Sequence, residues 1–438
     1  MAPRPTSVST WLRRLYLALQ GVEALALCEQ ILADDPKRVA ALTLAAKCLE
    51  RLNRIDEAIL YAQRAVEQGR NDPDASLVLA KLEARRKNLP SARERLERLA
   101  ARSGIAPDIH HQALTELGFV LDKLGEYDAA FDAFTRAGRE IGATPAVQQV
   151  NRRVAFQKLD LYRDRLTGED MGRFAGESFD TPAPAFLVGF PRSGTTMTEQ
   201  VLAAHPGVMT TEEEPLIIAA GRRLMASATN KLDVPAQLKR VDRGTVAEVR
   251  RAYWEGARET LGVDLDGRLL VDKLPLNIID LGMINTVFPD AKVLVALRDP
   301  RDVCLSCFMQ WFAPNPAMVQ LLSLPSSAEF YAAVMGLYLH QRPMFTMPVL
   351  QVRYEDTVTD LESQARRIVE HMGLGWSDEL LSFHEKASER FIRTPSYAAV
   401  TEKVHTRAVG RWRNYTRHFE PLQAKLAPFV AEFGYEPA

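Results

Sequence analysis

Few features of this sequence would mark a secreted, metal-bound or membrane-embedded chain. Its 438 residues hold four cysteines, Cys28, Cys48, Cys304 and Cys307. That is too few for a disulfide framework and suits a reducing compartment. No run of eighteen apolar residues occurs, so no transmembrane helix is expected. The net charge of −1, with 25% charged residues, shows no excess of either sign. Nucleic acid and anionic membrane surfaces are therefore not indicated as partners. The eight histidines show no ligand spacing. The lone Cys304-x-x-Cys307 has no second Cys or His pair to complete a zinc site, so no metal is expected and these cysteines read as buried helix residues. At the N-terminus a basic patch precedes an apolar stretch, but Gln20 and Glu23 interrupt it, and Leu27 before Cys28 is not the small residue a lipoprotein cleavage needs. The expected location is the cytoplasm.

What is present is core-forming material and two kinds of periodicity. An apolar fraction of 47% can fill cores in two or three domains. Ala24, Ala58 and Ala92 recur every 34 residues in helical contexts, and Ala130 follows 38 later, the surplus taken up by "RSGIAPD". This period resembles that of tetratricopeptide repeats, helix pairs in which a small residue lets the second helix approach the first. The last unit matches best, through Leu117, Gly118, Leu121, Ala130, Phe134 and Ala137. Four repeats are estimated over residues 1–166, with 146–166 as a further helix closing the stack. Stacked repeats leave a concave face. Scaffolding, dimerisation and presentation of a peptide or substrate remain open for it. Residues 167–182, rich in Gly, Pro, Asp and Ser without helical period, read as a linker to a second domain over 183–438.

That second domain opens with "AFLVGFPRSGTTMTEQVLAAHP", residues 185–206. A short buried strand runs into a glycine-containing turn, and a helix follows up to Pro206. Backbone N–H groups of Ser193, Gly194, Thr195 and Thr196, with the helix dipole, favour an anion there. A Walker loop would place Lys beside Ser/Thr to serve a triphosphate and Mg²⁺. Here Thr195 and Thr196 stand in that place, Arg192 lies inside the loop, and no strand ends in a free Walker-B-like Asp. Arg192 offers a planar, permanently charged fork. A sulfuryl group carries one negative charge fewer than a phosphoryl group, so transfer without a metal is chemically reasonable.

On these residues the domain resembles the sulfotransferases that use 3′-phosphoadenosine 5′-phosphosulfate (PAPS). "GFPRSGTT" is similar to their 5′-phosphosulfate loop, in the Arg-containing variant of the tyrosylprotein sulfotransferases and bacterial relatives. The resemblance extends to "DAKVLVALRDPRDVCLSCFMQW", a strand over Lys292–Leu297, a turn and a helix. There Arg298 and Ser306 match an Arg and a Ser, eight residues apart, that share the donor's 3′-phosphate. Arg301 and Asp302 read as parts of the turn and a local ion pair.

The resemblance implies an N-terminal all-α repeat array followed by an α/β, P-loop-like domain with a largely parallel sheet. It implies a reaction in which PAPS and an acceptor hydroxyl give a sulfate ester and adenosine 3′,5′-bisphosphate. Among Glu212, Glu213 and Glu214, counting from His205–Pro206 places the general base on Glu213. Lys273, at the end of the strand in "GRLLVDKLPLNI", matches the Lys that holds the bridging oxygen, and Arg192 shares the sulfuryl charge. Tyr354 in "VRYED" either lines the adenine site or packs under the sheet. Ser396 and Lys403 match a C-terminal segment that closes over the donor, with the spacing off by a residue. His205 reads as a helix-end residue. The acceptor stays open between a peptide tyrosine, which the resemblance favours, and a saccharide or small alcohol. Two other classes also remain, a P-loop kinase and a non-catalytic repeat protein whose transferase domain has decayed.

Overall fold

A computed structural model describes residues 21–226, 228–262, 265, 267–384 and 404–437. Ser396 and Lys403 lie outside the described residues. The chain divides into two compact units, the first running to Gln148 and including Met309–Trp311, the second starting at Gln149 and resuming at Phe312.

The first unit is helical: α1 (Gly21–Asp34), α2 (Val39–Arg51), α3 (Ile55–Gln68), α4 (Pro73–Arg85), α5 (Leu89–Ala101), α6 (Pro107–Lys123) and α7 (Tyr127–Gly142). Each helix packs on the next. The four periodic alanines, Ala24, Ala58, Ala92 and Ala130, are all fully buried. They sit at equivalent places on α1, α3, α5 and α7, where a longer side chain would hold the neighbouring helix away. Gly118 shows the same constraint from the other side: a Cβ there would lie 2.7 Å from the Phe134 ring. Asp72 caps α4 by accepting from the Ala75 amide at 2.8 Å, with Pro73 at the first helical position.

The helix expected to close that stack, α8 (Arg153–Arg165), belongs to the second unit. Its buried side fixes it there: the Tyr162 hydroxyl and Lys158 Nζ donate to Asp280 at 2.9 and 2.7 Å. Phe156 also meets Phe330 edge-on at 5.8 Å. Residues 167–182 are likewise held rather than free. The Asn285 amide donates to the Met171 carbonyl, and the fully buried Arg250 donates to the Thr181 carbonyl. The unit boundary thus falls earlier than residue 166.

Five parallel strands form the sheet of the second unit, in the order β2-β3-β1-β4-β5: β1 (Ala185–Gly189), β2 (Val208–Thr210), β3 (Leu269–Lys273), β4 (Val293–Leu297) and β5 (Val349–Arg353). All residues of β1 and β4 are buried, the mark of parallel strands covered on both faces. The helices that matter for the site are α9 (Thr195–Ala204) after β1, α10 (Arg243–Leu261) before β3, α11 (Pro300–Phe308) after β4 and α12 (Tyr354–Thr359) after β5. Ligands of open parallel sheets bind outside the carboxyl ends of the strands. In this sheet, all five strands deliver a residue of interest to that edge.

Candidate active site

A cavity of about 530 Å³ opens at the carboxyl edge, and every residue that lines it belongs to the second unit. Arg192, Gly194, Thr195, Thr196, Glu213, Arg298 and Tyr354 are on its wall. Sequence separations of up to 162 residues (192 to 354) are thereby closed.

The loop after β1 is tightly built. A Cβ on Gly189 would meet the Ala296 carbonyl oxygen at 2.6 Å, so the close passage of β1 and β4 requires glycine. Gly194, with φ of 102°, precedes α9, and a Cβ there would touch the Tyr354 ring at 3.0 Å. Arg192 also has positive φ, 70°, an uncommon and costly conformation for a non-glycine residue. The residue is half-buried, and desolvation, with the nearby Arg298, lowers its pKa. Ser193 departs from the expected role of anion donor. Its amide and hydroxyl both donate to the Phe190 carbonyl, at 3.2 and 2.7 Å, and so brace the turn. Thr195 and Thr196 stand at the start of α9, where helix amides face the cavity.

Arg298, after β4, is the second candidate anion-binding element. Its Nη1 donates to the Arg192 carbonyl at 3.3 Å and its Nη2 to the Ala408 carbonyl at 2.5 Å. Its plane lies over the Tyr354 ring, 4.9 Å from the centroid. Nε is buried and has no hydrogen-bond partner among the described residues. An unpaired guanidinium donor beside a cavity is what an incoming phosphate oxygen would satisfy. Ser306 is one step back from the wall and accepts from Arg192 Nε at 3.1 Å, which links the two arginine elements. Asp302 receives the amides of Gly410 and Trp412 at 2.7 and 2.9 Å and lies 3.7 Å from Arg298. These bonds tie the C-terminal segment to α11, and Val404, His405 and Ala408 complete the cavity wall. Arg301 pairs with Asp299 at 2.7 Å and stacks on Trp412 at 3.8 Å.

The third element joins β2 and β3. The Glu213 amide donates to the Lys273 carbonyl at 3.0 Å, and Lys273 Nζ donates to Glu213 Oε1 at 2.7 Å. Glu212 and Glu213 both take positive φ, 49° and 73°, in the tight turn that brings this about. Of the three consecutive glutamates only Glu213 lines the cavity. Lys273 is fully buried behind it, and its second carboxylate partner is Glu199 Oε2 at 2.9 Å. Burial pushes the Glu199 carboxyl up to about 7 against the pull of Lys273.

Sequence reasoning missed Glu199. Its only signal was an acidic residue one turn into the helix that begins at an anion-binding loop. It also missed Lys158 and Asp280, which carry no motif and reach the wall from α8 and from the segment after β3.

The residues set aside on sequence grounds have structural roles. Cys304 and Cys307 are buried and free, and the Cys307 thiol donates to the Pro191 carbonyl. Burial raises both thiols, Cys307 to about 12. His205 Nδ1 accepts from the Gly207 amide at 3.0 Å, which leaves Nε2 to donate to the Gly375 carbonyl at 2.9 Å. Among the described residues no group of His, Cys, Asp and Glu could hold a metal ion, and no helix is long and apolar enough to cross a membrane.

Two arginine-bearing turns and a carboxylate–lysine pair thus meet at the carboxyl edge of a parallel sheet, an arrangement whose chemistry suits group transfer to or from an anion. Residues 184–378 match the family model described as "Sulfotransferase family", and residues 18–82 and 77–143 match tetratricopeptide-repeat models. The chain therefore carries a tetratricopeptide-repeat region followed by a region that matches the sulfotransferase family model. It is 25% identical over 330 residues to an uncharacterised protein of Aquifex aeolicus, covering 72% of this chain and 42% of that one. It is 26% identical over 289 residues to nodulation protein NoeE of Sinorhizobium fredii, covering 58% and 66%. With protein-tyrosine sulfotransferase 2 of Gallus gallus it shares 24% over 270 residues, covering 58% and 69%. The chain thus spans less than two thirds of the first two relatives. A solved sulfotransferase domain from the Synechococcus olefin synthase aligns at 21% identity and a TM-score of 0.41, over 59% of this chain and 99% of that one.

Proposed function

We propose that the second unit transfers the sulfuryl group of PAPS to an acceptor hydroxyl, releasing adenosine 3′,5′-bisphosphate. The observation that carries this reading is the convergence on one cavity of the α9 start with Arg192, Arg298 with its unpartnered Nε, and Glu213 in contact with Lys273. The donor brings an activated S–O bond. The chain's own residues then have separable tasks. The amides of Gly194, Thr195 and Thr196 with Arg192 hold the 5′ end, Arg298 and Ser306 hold the 3′-phosphate, and Tyr354 flanks the base. Ser396 and Lys403 remain donor-closing candidates on the resemblance alone.

Glu213 takes the proton from the acceptor hydroxyl as its oxygen bonds to sulfur. The bond from sulfur to the bridging oxygen breaks, and Lys273 donates a hydrogen bond to the phosphate oxygen that gains the charge. Arg192 stabilises charge on the sulfuryl oxygens in between.

The acceptor we favour is a peptide tyrosine. The cavity lining also includes Ile218, Leu276, Ile279, Phe312 and Met318, apolar groups that suit an aromatic ring better than a saccharide. In this reading the repeat unit presents the acceptor protein, and four buried free cysteines fit a cytoplasmic setting. Incubation with sulfur-labelled PAPS and a tyrosine peptide, a saccharide and a small alcohol tests the proposal. Label on the peptide is expected. ATP turnover with Mg²⁺, or intact PAPS with every acceptor and with water, would overturn it.

A further inference from the structure

The fully buried Lys273 faces two carboxylates from different elements, Glu213 Oε1 at 2.7 Å and Glu199 Oε2 at 2.9 Å. Only one of them lines the cavity: Glu213 is about one third exposed, whereas Glu199 is 1% exposed. Glu199 Oε1 is buried and accepts no hydrogen bond from the described residues. A buried carboxylate with half of its acceptors unused is costly unless its remaining contact has a purpose. Glu199 projects from the first turns of α9, the helix whose start forms the anion loop, so it connects that loop to the lysine of β3.

We propose that Glu199 is a positioning residue that anchors Lys273 while Glu213 changes charge during transfer. The proposal rests on the sulfuryl-transfer reading of the same cavity. At the start, one ammonium lies between two carboxylates. When Glu213 accepts the acceptor's proton it becomes neutral and loosens its hold, and the bridging oxygen becomes negative as its bond to sulfur breaks. The ammonium has three donors, two of them engaged here, and can turn one toward that oxygen only if its base is held from behind. Glu199 supplies that hold and the compensating charge. The charged groups acting on Glu199 are Lys273 from β3 and Glu212 and Glu213 from the turn after β2. Among the described residues Lys273 is the partner of its carboxylate, so its effect runs through Lys273.

The test uses the full chain, labelled PAPS and two readouts, transfer to a tyrosine peptide and slow release of sulfate to water. Glu199→Gln should lower kcat about 10²-fold, the scale of a misplaced catalytic group, with KM and the affinity for adenosine 3′,5′-bisphosphate within about twofold. Glu199→Asp, which keeps the charge, should recover part of the loss. In Lys273→Met the further change Glu199→Gln should have no additional effect, because the residue it positions is gone. A kcat for Glu199→Gln near wild type, a donor affinity that falls with kcat, or multiplicative losses in the double variant would each overturn the proposal. If the wild type neither transfers nor releases sulfate, the functional reading has failed. Thermal melting then decides the coupling, since Lys273→Met and Glu199→Gln must destabilise non-additively, and additive losses overturn it. Melting of each variant also separates misfolding from misplacement, with Glu199→Asp as the variant that disturbs packing least.

Discussion

Replacing Arg298 by Ala tests the donor site most directly, and the structure sets the size of the effect. Arg298 is 8% exposed, its Nη atoms hold the Arg192 and Ala408 carbonyls, and it stacks on Tyr354. Its Nε has no hydrogen-bond partner among the described residues. A hydrogen bond to a charged group contributes about 1.5–3 kcal/mol net. That alone corresponds to about 10–150-fold in Kd. Removing the side chain also frees the Ala408 segment from the wall and the Arg192 carbonyl from its partner, so the expected loss lies at the upper end, about 10²-fold. Arg298→Lys keeps the charge but neither the fork nor the stacking plane, and should fall between wild type and Ala. Calorimetric titration with adenosine 3′,5′-bisphosphate gives the affinities, and a thermal melt confirms that the variants fold. A Kd for folded Arg298→Ala within about threefold of wild type would refute the 3′-phosphate role, because even one charged hydrogen bond is larger than that.

Three further outcomes are expected. Glu213→Gln should leave donor affinity unchanged and lower turnover by about 10²-fold or more, read with labelled PAPS, while near-normal turnover would move the base to Glu212 or Glu214. Tyr253→Phe on α10 removes the hydroxyl that donates to buried Asp272 at 3.0 Å, a carboxyl that burial pushes up to about 7. A folded-state value above the unfolded one adds stability that is complete below the unfolded pKa and lost as pH rises through the folded one. Losing the hydroxyl raises the folded value further, so the variant should lose about 1–3 kcal/mol at pH 8 and less at pH 5.5. Melting curves that show an equal loss at both pH values would contradict this. In the repeat unit, Gly118→Ala would place a methyl 2.7 Å from the Phe134 ring. Overpacking of about 1–3 kcal/mol should outweigh the roughly 1 kcal/mol helix preference of Ala, and an unchanged or raised Tm would show that the helix pair yields freely.

The strand–turn–helix segments around Arg192, Arg298 and Tyr354 were legible from local pattern, because a buried parallel strand and the helix after it leave contiguous signals. Strand ends matched to within a residue: the strand expected over Lys292–Leu297 is Val293–Leu297. The periodic alanines were legible for the same reason, each unit repeating one packing requirement. Less legible was the end of the first unit. The helical pattern of 146–166 continues the repeat in composition, yet Tyr162 and Lys158 find their partner in Asp280, more than a hundred residues on. Nothing in a local window encodes such a pairing.

By itself, then, the sequence determined the kinds of element, the absence of a Walker lysine from the loop, and the charged residues that follow each strand. These are local matters of backbone geometry, burial period and side-chain type. Tertiary structure alone decided which of those residues share a cavity. The order of the sheet puts the ends of β2 and β3 side by side, so Glu213 faces Lys273, Glu212 and Glu214 do not line the cavity, and Glu199 comes in from α9 as a second partner. Ser193 is turned inward by the same folding, its hydroxyl donating to the Phe190 carbonyl at 2.7 Å. The physical reason is that a side chain's type sets what bonds it can make, while long-range packing sets which partner is within reach.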